Sequence, residues 1–255
     1  MVTGLDIFKK HFAEYTDRYV LIGGTASSLA MEKLGQDFRA TKDLDIVLIV
    51  EALDPSFAAA FWEFVKAGGY ENRQKSSGKR LFYRFYAPKD RAYPEMLELF
   101  SRVPDVIDID QDAKLTPIPA GEEASSLSAI LMDEEYYQFV CDQRQIQDDL
   151  TYLGAAALIP LKAHAYLDLR KQKESGERID SKNIKKHKND IFRLFTILDR
   201  TKPCLLPSGM KEQLKACFDL FGKEETNLKP FGIRSASVAD VLNELEQFYD
   251  LSSPN

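Results

Sequence analysis

Residues 21–50 read LIGGTASSLAMEKLGQDFRATKDLDIVLIV, and this stretch decides the fold. An apolar run ends in two glycines, a segment with helical spacing follows, and a second apolar run opens with two aspartates. The second run is rich in β-branched and apolar residues, which is typical of a central strand buried on both faces. The pattern, with the two apolar residues before it, therefore predicts a strand over 19–22, a tight turn at Gly23-Gly24, a helix from Thr25 to about residue 34 and a buried strand over 44–50.

The glycine turn has the chemistry of a phosphate-binding loop. Gly23 and Gly24 allow backbone N–H groups to approach a phosphate closely, and the helix that follows directs its positive end to the same place. The Thr25 hydroxyl can donate a further hydrogen bond to that phosphate. Arg39 and Thr41 lie just before the aspartates, where the guanidinium can pair with a phosphate or a carboxylate. These five residues are our candidate nucleotide-binding residues in this half of the chain.

The aspartates predict a metal site. Asp43 and Asp45 occupy positions i and i+2 of a strand, so both carboxylates point to one face. Mg²⁺ takes oxygen ligands and commonly uses one or two carboxylates plus water and phosphate, and Mn²⁺ accepts the same ligands. We expect two ions, because two ions can stabilise both the attacking and the leaving oxygen of a displacement.

A third carboxylate is expected on a neighbouring strand. Glu98 is the best candidate because apolar residues flank it in the strand-like run MLELF. Glu95 and Asp108 are the alternatives. We therefore assign Asp43, Asp45 and Glu98 as the candidate catalytic and metal-binding residues.

The chain divides near residue 150 into an α/β half, 1–150, and a helical half, 151–255, which makes the fold class α+β. In the first half we expect a helix up to about residue 15, another starting at Pro55, and strands at 79–86 and 95–100 that form a hairpin. Residues 104–125 are polar and predict a loop. In the second half the apolar spacing predicts helices over 155–170, 181–198, 208–221 and 236–249.

Composition excludes several classes of protein. The formal net charge of −6 argues against general nucleic-acid binding, so any such contact needs a local basic patch. The basic run at 182–188 is either such a patch or a solvated helix face, and we expect His164 and His187 at the surface. Three cysteines without a CxxC motif indicate a reducing compartment. No apolar run is long enough for a membrane span, so we expect a soluble, cytoplasmic protein without a membrane partner.

The motifs GG-T-A and R-x-T-x-D-L-D resemble those of the DNA-polymerase-β-like nucleotidyltransferase superfamily. Within it, the chain is similar to the AbiEii/AbiGii branch, which comprises nucleotidyltransferase toxins of abortive-infection and toxin–antitoxin systems. The resemblance spans roughly residues 19–200. It implies a nucleotidyltransferase fold, a mixed twisted sheet flanked by helices, followed by a helical region that closes the nucleotide cleft.

The same branch has a Lys-x-x-Ala helix after the catalytic half and a later basic segment that ends in Lys-x-Asp or Lys-Asp. LKAHA at 161–165 and KHKND at 186–190 are similar to these two motifs, although Asn189 separates the lysine from the aspartate. The spacing between the glycines and Arg39 is also slightly long for the family. The resemblance implies that Lys162 touches the triphosphate and that Lys188 and Asp190 lie beside the same cleft, which makes all three candidate nucleotide-binding residues.

These features together predict Mg²⁺-dependent transfer of a nucleoside monophosphate from a nucleoside triphosphate to a hydroxyl. One of the carboxylates would also act as base toward the acceptor. The basic run at 182–188 favours a polyanionic acceptor such as tRNA. By resemblance the protein is a toxin, and its partner is an antitoxin protein. Two alternatives stay open, a catalytically inactive nucleotide-binding module and a nucleotidyltransferase that modifies a small molecule such as an antibiotic.

Overall fold

The computed structural model describes residues 2–49, 52, 54–72, 83–100 and 133–251. In these ranges the chain forms a mixed α+β fold with one seven-stranded sheet and eight α-helices. The strands are β1 (Tyr19–Ile22), β2 (Asp43–Leu48), β3 (Glu71–Asn72), β4 (Tyr83–Tyr86), β5 (Met96–Phe100), β6 (Arg144–Gln147) and β7 (Leu150–Leu153).

Three of the helices precede β3 in the sequence and five follow β5. They are α1 (Leu5–His11), α2 (Gly23–Glu32), α3 (Pro55–Gly68), α4 (Glu134–Asp142), α5 (Ala155–Glu174), α6 (Ser181–Phe195), α7 (Ser208–Gly222) and α8 (Val238–Phe248). Two short 3₁₀ helices occupy Ala13–Tyr15 and Lys229–Phe231. None of the described helices is long and apolar enough to cross a membrane.

The sheet has the strand order β3-β4-β5-β2-β1-β7-β6. Strand β2 pairs antiparallel with β1 and parallel with β5, and β1 pairs parallel with β7. The outer pairs β3–β4, β4–β5 and β6–β7 are antiparallel. Strand β2 therefore lies at the centre of the sheet, and its neighbour β1 is buried along its whole length.

An aromatic layer joins α1 and α3 to the sheet. Phe8, Phe12 and Phe64 are buried and their rings lie in contact, with the Phe12 and Phe64 centroids 5.3 Å apart. Helix α3 begins where the Asp54 carboxylate accepts a hydrogen bond from the N–H of Phe57, and it ends at Gly69, whose φ is +63°. These caps supply hydrogen bonds to backbone groups that the helix leaves unpaired.

The sequence predicted most of the first half correctly. β1 has the predicted bounds, α3 begins at Pro55, and β4 pairs antiparallel with β5 as the predicted hairpin requires. Helix α2 begins at the glycine pair itself, so the predicted turn is the first turn of the helix. The predicted loop at 104–125 and residues 79–82 of the predicted strand lie outside the described residues.

The second half begins differently from the prediction. The sequence did not predict α4, β6 or β7, and β7 starts at the proposed division near residue 150 while pairing with β1 of the first half. The four predicted helices of the second half correspond to α5, α6, α7 and α8. Helix α5 packs against α6 and α7 and also meets α2, which brings the helical half to the end of β1 and β2.

Candidate active site

The register of the central strands brings the acidic residues together. Asp45 on β2 lies directly opposite Glu98 on the parallel strand β5 and opposite Ile22 on β1, the residue before the glycine pair. Asp43 lies two residues before Asp45, so its side chain projects from the same face of the sheet. Three carboxylates and the glycine turn therefore share one region.

This region is a cleft of about 290 Å³ between the sheet and the helical half. The glycine pair and the carboxylates form one wall, and residues of α5 and α6 form the opposite wall. The residues that line the cleft are Gly23, Gly24, Arg39, Thr41, Asp43, Asp45, Arg84, Met96, Glu98, Lys162, Asn183, Lys186 and His187. Four of them are cationic side chains, so the cleft suits a polyanion even though the chain as a whole is acidic.

Both glycines are required by close contacts inside the cleft. Gly23 has a φ of +64°, and a Cβ atom there would overlap the Asp45 carboxylate. A Cβ on Gly24 would lie 2.7 Å from Oγ1 of Thr41, and the Gly24 N–H donates a hydrogen bond to Asp45. The absence of side chains leaves the positive N-terminus of α2 open to the cleft.

The Asp45 and Glu98 carboxyl groups are hydrogen-bonded to each other. Burial, followed by the charge of Asp45, raises the pKa of Glu98 to about 8 against the opposing effect of Arg84. Burial also raises the pKa of Asp45, while Lys162 and the hydrogen bond from Glu98 lower it. Near neutral pH, therefore, Glu98 carries the shared proton and donates it in a hydrogen bond to Asp45.

The opposite wall is organised by one fully buried carboxylate, Asp190 of α6. It accepts a hydrogen bond of 2.9 Å from Nη2 of Arg39 and one of 3.1 Å from Nζ of Lys162. Arg193 adds a third contact of 3.3 Å. Burial would raise the pKa of Asp190, but Lys162 and Arg39 outweigh it and lower the pKa to about 2. Asp190 is therefore ionised and holds two of the cleft's cations in place.

The donor set of the cleft fits a hard cation such as Mg²⁺. Among the described residues, no three His, Cys, Asp or Glu side chains are arranged as a ready metal-binding group. The adjacent carboxyls of Asp45 and Glu98, with Asp43 on the same face, nevertheless suit an ion that takes one or two carboxylates and completes its shell with phosphate and water. An ion there would also replace the proton that the two carboxyls share.

The structure brings most of the predicted site residues together. Gly23, Gly24, Arg39, Thr41, Asp43, Asp45, Glu98 and Lys162 all line the cleft. Of the two candidates for the third acid that the structure describes, Glu98 and Glu95, it is Glu98 that lies opposite Asp45. Glu95 instead forms an exposed ion pair of 2.9 Å with Lys42, and Asp108 lies outside the described residues.

Three predicted nucleotide-binding residues have other contacts. Thr25 is fully buried, and its hydroxyl donates a 2.7 Å hydrogen bond to the carbonyl of Asp43, so it joins α2 to β2 and does not face a phosphate. Lys188 donates a 2.6 Å hydrogen bond to Glu224 and lies outside the cleft lining. Asp190 lies behind the wall, where it positions Arg39 and Lys162 without lining the cleft itself.

The sequence did not identify five residues of the lining, namely Arg84, Met96, Asn183, Lys186 and His187. Arg84 lies opposite Glu98 on β4 and donates a hydrogen bond to its carboxyl oxygen. His187 was expected at the surface, but it is buried, because one face of the basic run turns toward the cleft. His164 is also only partly exposed, since Tyr136 and Gln213 contact its ring. The signal for Asn183, Lys186 and His187 was their spacing from Asp190, which places all four on one helix face.

We compared the chain with models of known protein families, with curated proteins and with solved structures, and none of them matches it.

Proposed function

We propose that the chain is a nucleotidyltransferase, which moves a nucleoside monophosphate from a nucleoside triphosphate to a hydroxyl group. The observation that carries this proposal is the register that sets Asp45 opposite Glu98, with the glycine pair beside them and the cations of Lys162 and Arg39 across the cleft. The proposal includes the nucleotidyltransferase fold, which rests on the resemblance of residues 19–200 and on the mixed sheet.

The reaction would form one bond and break one. The acceptor oxygen attacks the α-phosphorus, the bond from that phosphorus to the bridging β-phosphate oxygen breaks, and diphosphate leaves. Asp43 or Asp45 accepts the proton of the acceptor hydroxyl, because a carboxylate whose pKa is raised, as burial raises that of Asp45, is the stronger base. Lys162 and Arg39 would bind the phosphate oxygens on which negative charge accumulates.

Asp43, Asp45 and Glu98 would hold the Mg²⁺ ions, for which Mn²⁺ can substitute. The bound metal supplies neutralisation of phosphate charge and lowers the pKa of a coordinated hydroxyl. The Gly24 N–H and the N-terminus of α2 would add uncharged donors on the same side of the cleft.

A polyanionic acceptor such as tRNA fits the outer surface of α6. Lys182 and Lys185 are exposed on this helix, on either side of Asn183, which lines the cleft. They supply the local basic patch that an acidic protein needs to bind nucleic acid. The toxin role and the antitoxin partner are proposals that rest on the resemblance. The cytoplasmic location is a proposal that rests on three buried cysteines without a CxxC motif.

The test is consumption of labelled triphosphates by the full chain with Mg²⁺ and total RNA. We expect label on an RNA species with wild type, and none with Asp43→Ala or Asp45→Ala. Glu95→Ala is the matched control, because Glu95 is a nearby acid whose carboxylate pairs with Lys42 at the surface. Turnover that is equal in wild type and in Asp45→Ala would disprove this site.

The hydrogen bond from Arg84 to Glu98 favours a second candidate, an inactive nucleotide-binding module, because it engages one of the three carboxyl groups. The two candidates differ in a simple measurement. An inactive module binds triphosphate but transfers no label to RNA or to any small-molecule hydroxyl, aminoglycosides included. Transfer to an aminoglycoside alone would instead identify an antibiotic-type enzyme.

A further inference from the structure

One face of α6 is directed at the cleft. Asn183, Lys186 and His187 line the cleft, and Asp190 lies one turn further along behind its wall. Their spacing of three, one and three residues is that of a single helix face. The neighbouring Lys188 is rotated away from this face and pairs with Glu224. The basic run at 182–188 therefore presents two surfaces. The surface that contains Lys186 lines the cleft, and the surface that contains Lys188 does not.

His187 is an unusual member of this face. It is 6% exposed, and its Nδ1 is buried without a hydrogen-bond partner among the described residues. The charged groups that act on it are Lys162 from α5, Lys186 and Asp190 from α6, and Arg39 from the segment before β2. Burial, then Lys162 and Lys186, keep its pKa well below the usual range, so the ring is neutral near pH 7.

Such a placement does not serve the stability of the fold. A buried ring nitrogen without a partner costs free energy, and an apolar side chain of similar size would avoid that cost. Three of the four charged neighbours are cations, so the surroundings favour an anionic hydrogen-bond acceptor beside the ring. Of the groups in a nucleoside triphosphate, the phosphates have this chemistry.

We propose that His187 binds the β- and γ-phosphates of the triphosphate, the part that leaves as diphosphate. This inference rests on the proposed function. The α-phosphate must lie at the carboxylate wall, where Asp43 and Asp45 are, so the remaining phosphates extend toward α5 and α6. There a ring N–H of His187 donates a hydrogen bond to a phosphate oxygen, without transferring its proton, beside the ammonium of Lys186.

The experiment measures binding of one nucleotide series to the full chain by calorimetry with Mg²⁺. The series is a triphosphate with a non-hydrolysable α,β-methylene bridge, and the monophosphate of the same base. The variants are His187→Leu, which removes the donor, and His187→Gln, which keeps an N–H donor of similar reach. His164→Gln is the control, because His164 lies outside the cleft lining.

We expect His187→Leu to weaken triphosphate binding by about 10- to 100-fold, the equivalent of one hydrogen bond to a charged group. Monophosphate binding should change by less than about twofold, because that ligand lacks the phosphates in question. His187→Gln should regain part of the triphosphate affinity, and His164→Gln should match wild type. A misfolded Leu variant would lose both ligands, and the Gln variant then provides the comparison.

Equal triphosphate affinity in wild type and in both His187 variants would overturn the role of His187 and leave the proposed function intact. Parallel losses for the triphosphate and the monophosphate in a folded His187 variant would also overturn it, since they indicate a general structural effect. Wild-type protein that binds no triphosphate would overturn both the inference and the proposed function.

Discussion

The Lys162 ammonium donates a 3.1 Å hydrogen bond to Oδ2 of Asp190, an oxygen that Arg39 also contacts at 2.9 Å. This contact joins α5 to α6, and the Arg39 side chain ties both helices to the segment before β2. A single buried carboxylate therefore links the two walls of the cleft and fixes the cations that face it.

Replacing Asp190 should destabilise the fold. In Asp190→Asn the cations of Arg39 and Lys162 lose their counter-charge, and Lys162 is itself buried. Removing one partner of a buried ion pair costs about 3 kcal/mol or more, measured as the free energy of unfolding in urea. Glu244→Gln is the control, because Glu244 pairs with Arg200 and both side chains are about half exposed, at 47% and 50%. Its cost should stay below about 1 kcal/mol, and equal costs would contradict the organising role of Asp190.

The same carboxylate should give the fold an acid-sensitive component. The folded pKa of Asp190, about 2, lies below the ordinary value of 3.8. The contribution of the ionised Asp190 carboxylate to the free energy of unfolding is therefore nearly complete above pH 4, and it is lost as the pH falls from about 4 to about 2. The difference in unfolding free energy between wild type and Asp190→Asn should shrink by about 2 kcal/mol over this window. A difference that is constant with pH would show that the charge of Asp190 contributes nothing.

Gly23 and Gly35 form a matched pair for testing the glycine turn. Both have positive φ, +64° and +68°, but no atom lies within 4 Å of a Cβ placed on Gly35. Gly35→Ala should therefore cost only the left-handed backbone penalty, about 1–2 kcal/mol. Gly23→Ala should lower the free energy of unfolding by more than this, because the new methyl group overlaps the Asp45 carboxylate. Displacement of Asp45 should also weaken Mg²⁺-dependent triphosphate binding. Equal effects in the two variants, measured by urea unfolding and calorimetry, would contradict the close contact at Gly23.

Substitutions of Lys162 and Lys188 should affect different quantities, triphosphate affinity for Lys162 and the free energy of unfolding for Lys188. Both lysines are buried, but only Lys162 lines the cleft, while Lys188 contacts Glu224 and the ring of Phe221. Lys162→Met should reduce triphosphate affinity by about tenfold or more, the equivalent of a lost charged hydrogen bond. Lys188→Met should retain wild-type affinity and lower only the unfolding free energy. Loss of affinity in the Lys188 variant would restore the original prediction that this lysine faces the nucleotide.

Substitutions of Thr25 and Thr41 should also affect different quantities, the free energy of unfolding for Thr25 and triphosphate affinity for Thr41. The buried Thr25 hydroxyl bonds to the Asp43 carbonyl, whereas Thr41 lines the cleft beside Gly24. Thr25→Val should lower the unfolding free energy by about 1 kcal/mol and leave triphosphate affinity nearly unchanged. Thr41→Val should weaken triphosphate binding with little effect on unfolding. The reverse pattern would show that the predicted phosphate contact of Thr25 is correct.

Local patterns in the sequence were sufficient for several elements and residues. The apolar run before Gly23 predicted β1 with its observed bounds, and Asp54-Pro55 predicted the start of α3, because caps and continuous apolar runs act over a few residues. The pairing of Asp43 and Asp45 on one face follows from the two-residue period of a strand. The flanking apolar residues also identified Glu98 over Glu95.

Other features depended on helix rotation or on short segments. The motif match predicts Lys188 beside the cleft, but residues two apart on a helix point about 200° apart, and packing turns Lys186 toward the cleft instead. Strands β6 and β7 have four residues each, too few to give a clear period. The burial of His187 likewise depends on the contact between α5 and α6.

The central elements and the types of chemical group available follow from the amino-acid sequence, because these depend on neighbouring residues. Which groups meet depends on the packing of elements that are distant in the chain. The parallel register of β2 and β5 sets Asp45 opposite Glu98, and the packing of α6 against α5 brings Asp190 to Lys162. The reason is physical, since register and helix rotation are fixed by burying apolar faces that lie far apart in the chain.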